Sequence, residues 1–489
     1  MKNIIKITLI TLTLLLFNSC SNVDFGDTNN NSNGTLNPDL QALFTGAQIR
    51  YSTATGRDYL LKPTLYVQYQ SQRTYTDEQR YNQSQASWTT YYVQTLSNLN
   101  EIITYFDGTS TPDPAVLVKG SANNQKGTAM IFSAIVWKRL TDTWGSVPYE
   151  EALNPENFTP AYSDQEFIYK DQIAKLKEAR DLLDENETSP SGDLIYGGDI
   201  LKWKKLANSL ILSMSLQLSE KDEAYAEIEF LAALNDSNGV IETVDDEAWH
   251  SFANIPGFEN PFVPNRRADY GLSKTFTDAL QGESASANPT SNHTTDYRLL
   301  TFSNKTSISS DGIPYGITTT GYSTNAKLSL NIWKAEAPLP YMTAAYTYLN
   351  RAEAAELGWT TENSATMLEN GIVISYQSTD AKFNGSQSSN ASTYAAARVA
   401  DAASDMLKVI GEEKWVALFP CGFDAWSEWR RTGYPALVPS TQPLNDGNIP
   451  TRYLYPTAEK SSNVGNYNNG VTKLLPATDS NTSKVWWDQ

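Results

Sequence analysis

Two cysteines, Cys20 and Cys421, and two histidines, His250 and His293, are all that this chain of 489 residues carries. Disulfide frameworks need several paired cysteines, and structural zinc needs a cluster of Cys or His ligands, so the fold must rest on packing. HExxH, GxSxG, GxxxxGK(S/T) and a GxGxxG between a strand and a helix are all missing. Their absence removes support for zinc hydrolysis, a nucleophile elbow and nucleotide binding. Nothing follows the calcium loop D-x-(D/N)-x-(D/N)-G with its distant Glu, and neither a metal nor a cofactor is expected. One catalytic chemistry survives this inventory, because two carboxylates suffice to hydrolyse a glycoside and their separation in space is not readable from sequence. Positive charge is also short, with 37 Lys and Arg against 55 Asp and Glu and a net charge of -18. Nucleic acid and anionic lipid both demand dense Lys and Arg, so neither is an expected partner.

Long apolar runs are scarce too. The one at residues 4–17, IIKITLITLTLLLF, falls short of the roughly 20 residues that a spanning helix requires. With Lys2 ahead of it and Lys6 inside it, residues 1–19 read as a signal peptide. Cleavage before Cys20 would expose the thiol that bacterial lipoprotein processing converts to a diacylglycerol thioether. The Ser19-Cys20 pair fits that signal, although Phe17 stands where the usual pattern prefers Leu. Several acyl chains anchor a protein stably where a single one does not. Residues 20–35, with DFGDTNNNSNG at their centre, have little to bury and read as a flexible tether ahead of a body at residues 36–489. A lipidated Cys20 leaves Cys421 without a partner.

What is abundant is aromatic: 12 Trp, 27 Tyr and 16 Phe in a chain that is 40% hydrophobic, ample for a large core. Helical periodicity runs through residues 88–106, where Trp88, Tyr92, Leu96, Leu99, Ile103 and Phe106 share one face. Similar stripes mark residues 125–140, 166–185, 201–218, 224–235, 341–359, 364–377 and 394–419. Starts spaced by roughly 34 to 40 residues point to tetratricopeptide-like helix pairs, without a clean consensus repeat. Between the two helical sets, residues 250–338 are rich in Ser, Thr, Asn, Gly and Pro, and a smaller stretch of that kind, SQRTYTDEQRYNQSQ, occupies residues 71–85. Loops this long usually carry function. Tyr and Trp offer flat apolar faces with a polar edge, suited to sugar rings or to peptide side chains. Binding of a polar nutrient is the natural expectation, although most aromatics must serve the core.

Five ordered motifs sharpen this reading: RLTDTWGSVPYEEAL (139–153), RAEAAELGW (351–359), EEKWVALFPCGFDAWSEWRRTGYPAL (412–437), IPTRYLYPTAEKSSN (449–463) and the closing KVWWD. ADYGLSKTF, DYRLLTF and DGIPYGI fall between them in order. Together they resemble the SusD/RagB family, and more narrowly the SusD-like nutrient-binding outer-membrane lipoproteins of Bacteroidota. The resemblance implies an all-α body of tetratricopeptide-like helix pairs with a large irregular, loop-rich ligand-binding half, here carrying its insert at about 250–338. It also implies a cell-surface lid on a SusC-like TonB-dependent outer-membrane transporter, capturing an oligosaccharide or, in some members, peptides, and not itself an enzyme. A surface glycoside hydrolase is the rival reading.

The motifs themselves read as structural: Gly145 and Pro148 as turn punctuation, Trp144, Tyr149, Trp426 and Trp429 as packing, Arg430 and Arg431 as partners of acidic neighbours. Tyr346 stands where the family's helix often carries Glu, which implies an altered buried polar contact. Family members take ligand on the loop before the first of these helices and on the mid-chain insert. Carried onto this chain, that points to Arg73, Tyr75, Tyr81 and Trp88, and to Tyr270, Tyr315, Tyr322 and Trp333.

Overall fold

Capping chemistry starts many of the helices. The computed structural model describes residues 39–54, 60–83, 85–283, 287–318 and 321–489, so the expected signal peptide, Cys20 and the tether lie outside the described residues. The first helical set comprises α1 (Leu40–Ala54), α2 (Ser97–Gly108), α3 (Ala122–Trp144), α4 (Gln165–Leu182), α5 (Ile200–Gln217) and α6 (Glu223–Leu234). After α7 (Lys274–Gln281), the second set runs through α8 (Ala344–Glu356), α9 (Ser364–Phe383), α10 (Ala391–Asp401), α11 (Met406–Ala417), α12 (Gly422–Thr432) and the short α13 (Val464–Thr472). Side chains of Ser121, Asp199, Asn363 and Asp405 each accept a hydrogen bond from the backbone N–H three residues on, satisfying donors that a helix start leaves open.

Two of the differences from the periodic reading have a clear local reason. The helix expected from residue 88 begins as a π-helical turn, Thr90–Leu96, before continuing as α2. Wider turns shift the stripe, so Tyr91, Thr95, Leu96, Leu99 and Ile102 are the buried residues of this stretch, while Tyr92 and Ile103 are only partly covered. The single helix expected over residues 394–419 is two, because Asp405 caps a fresh start at α11.

Helices pack mainly on their chain neighbours: α3 on α4, α4 on α5, α5 on α6, and α8 on α9, which carries α10. The body is thus all-α, built from paired helices. Gly127 lets α3 approach α4, since a Cβ there would lie 2.8 Å from the Leu183 side chain and 3.0 Å from the Ala179 carbonyl.

Motif residues converge on a buried ionic cluster. Glu353 of α8 accepts from Lys414 of α11 at 2.5 Å and from Arg431 of α12 at 2.5 Å, and Arg431 also reaches Glu428 at 2.7 Å. Tyr346 donates to Glu428 at 2.6 Å and lies 3.1 Å from Ser213, so its hydroxyl joins the same cluster. Arg430 differs from expectation: among the described residues it forms no ion pair, its guanidinium donates to the carbonyls of Asp142 and Thr451, and it lies over the rings of Trp426 and Trp487. Trp487, from the closing motif, is thereby docked into the core.

Three two-stranded antiparallel ladders complete the fold: β1 (Gln70–Gln72) with β5 (Tyr270–Leu272), β2 (Val147–Pro148) with β3 (Tyr162–Ser163), and β4 (Ala248–His250) with β6 (Leu339–Met342).

Candidate ligand-binding face

Strand β1 leads into the polar segment 71–83 and β5 belongs to the mid-chain insert, so their pairing joins the two stretches singled out by sequence. Gln70 lies opposite Leu272 and Gln72 opposite Tyr270. Arg73 continues the ladder: its N–H donates to the Asp269 carbonyl, its Nη1 to that of Ala268 at 2.5 Å and its Nε to that of Gly321 at 2.7 Å. Ser71 reaches the Ile313 carbonyl and Gln79 that of Ile317, both at 3.1 Å. Gly271 makes this closeness possible, because a Cβ there would stand 2.8 Å from the Ala326 carbonyl.

A third loop, residues 438–444, completes the cluster. The Gln68 side chain donates to the Val438 carbonyl at 2.6 Å, and Ser440 N–H donates to the Tyr81 hydroxyl at 2.9 Å. Arg80 holds the Gln442 carbonyl at 2.7 Å, and the Gln442 side chain in turn accepts from the N–H of Thr318 at 2.8 Å. From sequence no residue of this loop is expected at the site, since a loop without periodicity carries only the weak signal of Pro439 and Pro443 around exposed Val438.

The eight expected contact residues separate by burial. Tyr75 is 77% exposed and Tyr322 38%. Arg73 is half-buried, and Tyr315 is half-covered with its hydroxyl beside that of Tyr81. Tyr81, Trp88, Tyr270 and Trp333 are buried. Trp88 packs edge-on against Trp144, Tyr162 and Tyr455, and Trp333 stacks on Phe262 with ring centres 5.0 Å apart. Tyr270 closes that stack at 5.9 Å from Trp333. Long irregular segments must bury their own aromatics to stay ordered, and the insert uses these rings for that purpose. Burial accordingly pushes the Tyr81 hydroxyl up to about 12.

Backbone strain concentrates on the same loops. Six non-glycine residues among those described have a left-handed φ, and four of them, Gln68, Tyr75, Tyr81 and Tyr322, belong to this cluster. Bulky side chains tolerate that conformation only where surroundings enforce it, and such positions gather at ligand sites. Chemically the face offers aromatic surface, amides, hydroxyls and guanidinium groups. Residues 68–83, 311–328 and 438–444 contain neither Cys nor His, and no group of three or more His, Cys, Asp or Glu among the described residues could hold a metal ion.

A second concavity, about 440 Å³, lies among the helices and is lined by Trp137, Tyr149, Phe167, Asp171 and Lys175. Four of its polar side chains bond with one another, Tyr149 with Asp171, Gln172 and Lys175.

Solved structures share this architecture. A chitin-binding protein is 27% identical over 92% of this chain and 100% of its own, with a TM-score of 0.78. A chitin-binding SusD homolog from Flavobacterium johnsoniae is 22% identical, covering 92% and 99%, at 0.74. A SusD homolog from Bacteroides uniformis is 20% identical, covering 93% and 100%, also at 0.74. Curated proteins contain no sequence match to the chain. Over residues 30–456 the chain matches the SusD-like family described as starch-binding and associating with the outer membrane, and it belongs to that family.

Proposed function

We propose that this protein captures an oligosaccharide at the cell surface and passes it to a SusC-like TonB-dependent transporter in the outer membrane. One observation carries the reading: exposed Tyr75 and Tyr322 are held with left-handed backbone on two loops that Arg73 locks together. Pre-organised aromatic faces bind sugar rings with little ordering cost. Similarity to a chitin-binding protein supports the same ligand class. Anchoring is through lipid on Cys20, and no helix among the described residues is long and apolar enough to cross a membrane. The protein binds and does not catalyse.

Calorimetry on the form starting at Ser21, against a panel of glycans with a peptide digest alongside, tests the proposal. Saturable glycan binding weakened about tenfold or more in Tyr75→Ala and Tyr322→Ala is the expected result. Trp333→Ala is expected instead to lower stability, by about 3–5 kcal/mol, because its ring is core. Response to peptides alone would transfer the lid to a peptide cargo, and turnover of a glycan would replace it with a hydrolase.

A further inference from the structure

The loop that carries Tyr322 is fastened by cations. Arg73 holds the carbonyl of Gly321, Lys305 that of Thr324, and Arg267 that of Leu328 through both Nε and Nη2. Lys327 sits in the same segment: Ser303 and Leu328 form an antiparallel bridge, the Asn304 N–H donates to the Lys327 carbonyl at 2.9 Å, and the Lys327 N–H donates to the Asn304 side chain at 2.8 Å. That exchange sets Lys327 opposite Asn304, diagonal to Lys305 and near enough for the two ammonium groups to act on each other.

Carbonyl partners solvate a positive charge without cancelling it. Among the described residues, Arg73, Arg267, Lys305 and Lys327 form no ion pair with any carboxylate. The acids nearest in sequence are directed elsewhere: Asp269 to Arg266 at 3.8 Å and Asp77 to Arg80 at 3.5 Å, while Asp311, whose carbonyl accepts from Ala326, acts on Lys274. Burial, and then Arg73, Arg267 and Lys305, depress the Lys327 ammonium, and no acid offsets them. In a chain of net charge -18, four uncompensated cations around one exposed tyrosine form a local reversal of sign.

We infer that the captured saccharide is acidic, its carboxylate or sulfate group received by Lys327 with Arg73, Arg267 and Lys305 while Tyr322 covers a sugar face. The inference rests on the glycan-capture reading and adds the charge of the cargo. Acidic neighbours elsewhere on the surface would repel such a ligand, so this cluster also gives it an orientation on approach.

The test uses matched pairs: oligogalacturonate against its methyl ester, and a sulfated galactan oligosaccharide against the desulfated form, with a chitooligosaccharide as a further neutral ligand. The acidic member of at least one pair is expected to bind about tenfold tighter, and which pair responds tells carboxylate from sulfate. That gap closes in Lys327→Gln and, in the unaltered protein, between about 50 and about 500 mM salt. Salt dependence keeps the test valid even where the variant folds poorly. Equal affinity within both pairs, or binding of the neutral ligands alone, overturns the inference and retains glycan capture. Silence toward every saccharide overturns both.

Discussion

Glu353 shows how much one carboxylate holds in this fold. Burial opposes its charge, but Arg431 and Lys414 outweigh burial and hold it below the usual carboxylate range. Glu413 is held low in the same way by Arg298 and Arg398. Unfolded carboxylates regain their ordinary values, so the stability these pairs contribute is present above about pH 4.5 and is lost as pH falls through the depressed native values. Glu353→Gln leaves two buried cations sharing Glu428, and denaturant unfolding is expected to show a loss of about 3–5 kcal/mol. His250 offers a second, separable pH effect. Burial pushes its imidazole down to about 4, and its Nδ1 has no hydrogen-bond partner among the described residues. An unfolded His binds its proton near pH 6.5, so this group's contribution is intact above 6.5 and declines toward pH 4. His250→Leu is expected to shrink the stability difference between pH 7 and pH 5 by about 2 kcal/mol, read from unfolding curves at both values. Asp488 acts with opposite sign: burial raises its carboxyl to about 6, so its contribution improves as pH drops below that value.

At the level of elements, the proposed binding face depends on backbones that come closer than side chains allow. Gly312 meets Ser273 so tightly that an added Cβ would lie 2.3 Å from the Ser273 carbonyl oxygen. The loop from residue 311 onward carries Tyr315 and Tyr322, and it is registered on β5 by the Ile313 N–H, which donates to the Leu272 carbonyl, and by the Leu272 N–H, which donates to that of Ala326. Gly312→Ala is expected to lift that loop, costing about 1–3 kcal/mol in stability. Ligand affinity should fall about tenfold in the same variant, measured by calorimetry beside its melting curve, since the tyrosine faces lose their placement. A comparable change on the helical side, such as Gly127→Ala, would strain α3 against α4 and leave affinity unaltered.

For the molecule as a whole, division of labour follows from how each half is held. Paired helices and buried ion clusters make one side, while the loop-rich side is tied by side-chain bonds to carbonyls and by two short ladders, β1 with β5 and β4 with β6. The proposed lid role requires that the body be tethered but free to move, which places the anchor ahead of α1. Cys20→Ser is expected to shift the protein from the membrane fraction to the soluble fraction without changing its glycan affinity, measured by fractionation and calorimetry. Retention in the membrane fraction would sink the lipid anchor.

The amino-acid sequence alone determined most of the helical body, though not α1, α7 or α13, because a stripe such as Tyr169, Ile173, Leu176 and Ala179 needs only local periodicity to be seen, and it determined the family through motifs whose residues turn out to build the buried ionic cluster. It also marked the two loop segments that β1 and β5 bring together. What only the tertiary structure decided is which aromatics in those segments stay on the surface: Trp333 and Tyr322 come from the same polar insert, yet one stacks on Phe262 and the other is exposed. The partnership of residues 438–444 with Tyr81, and of Arg73 with Gly321, was equally invisible, because contacts between distant loops follow no period. Local order is written in the spacing of neighbours along the chain, whereas burial depends on what the rest of the chain places alongside.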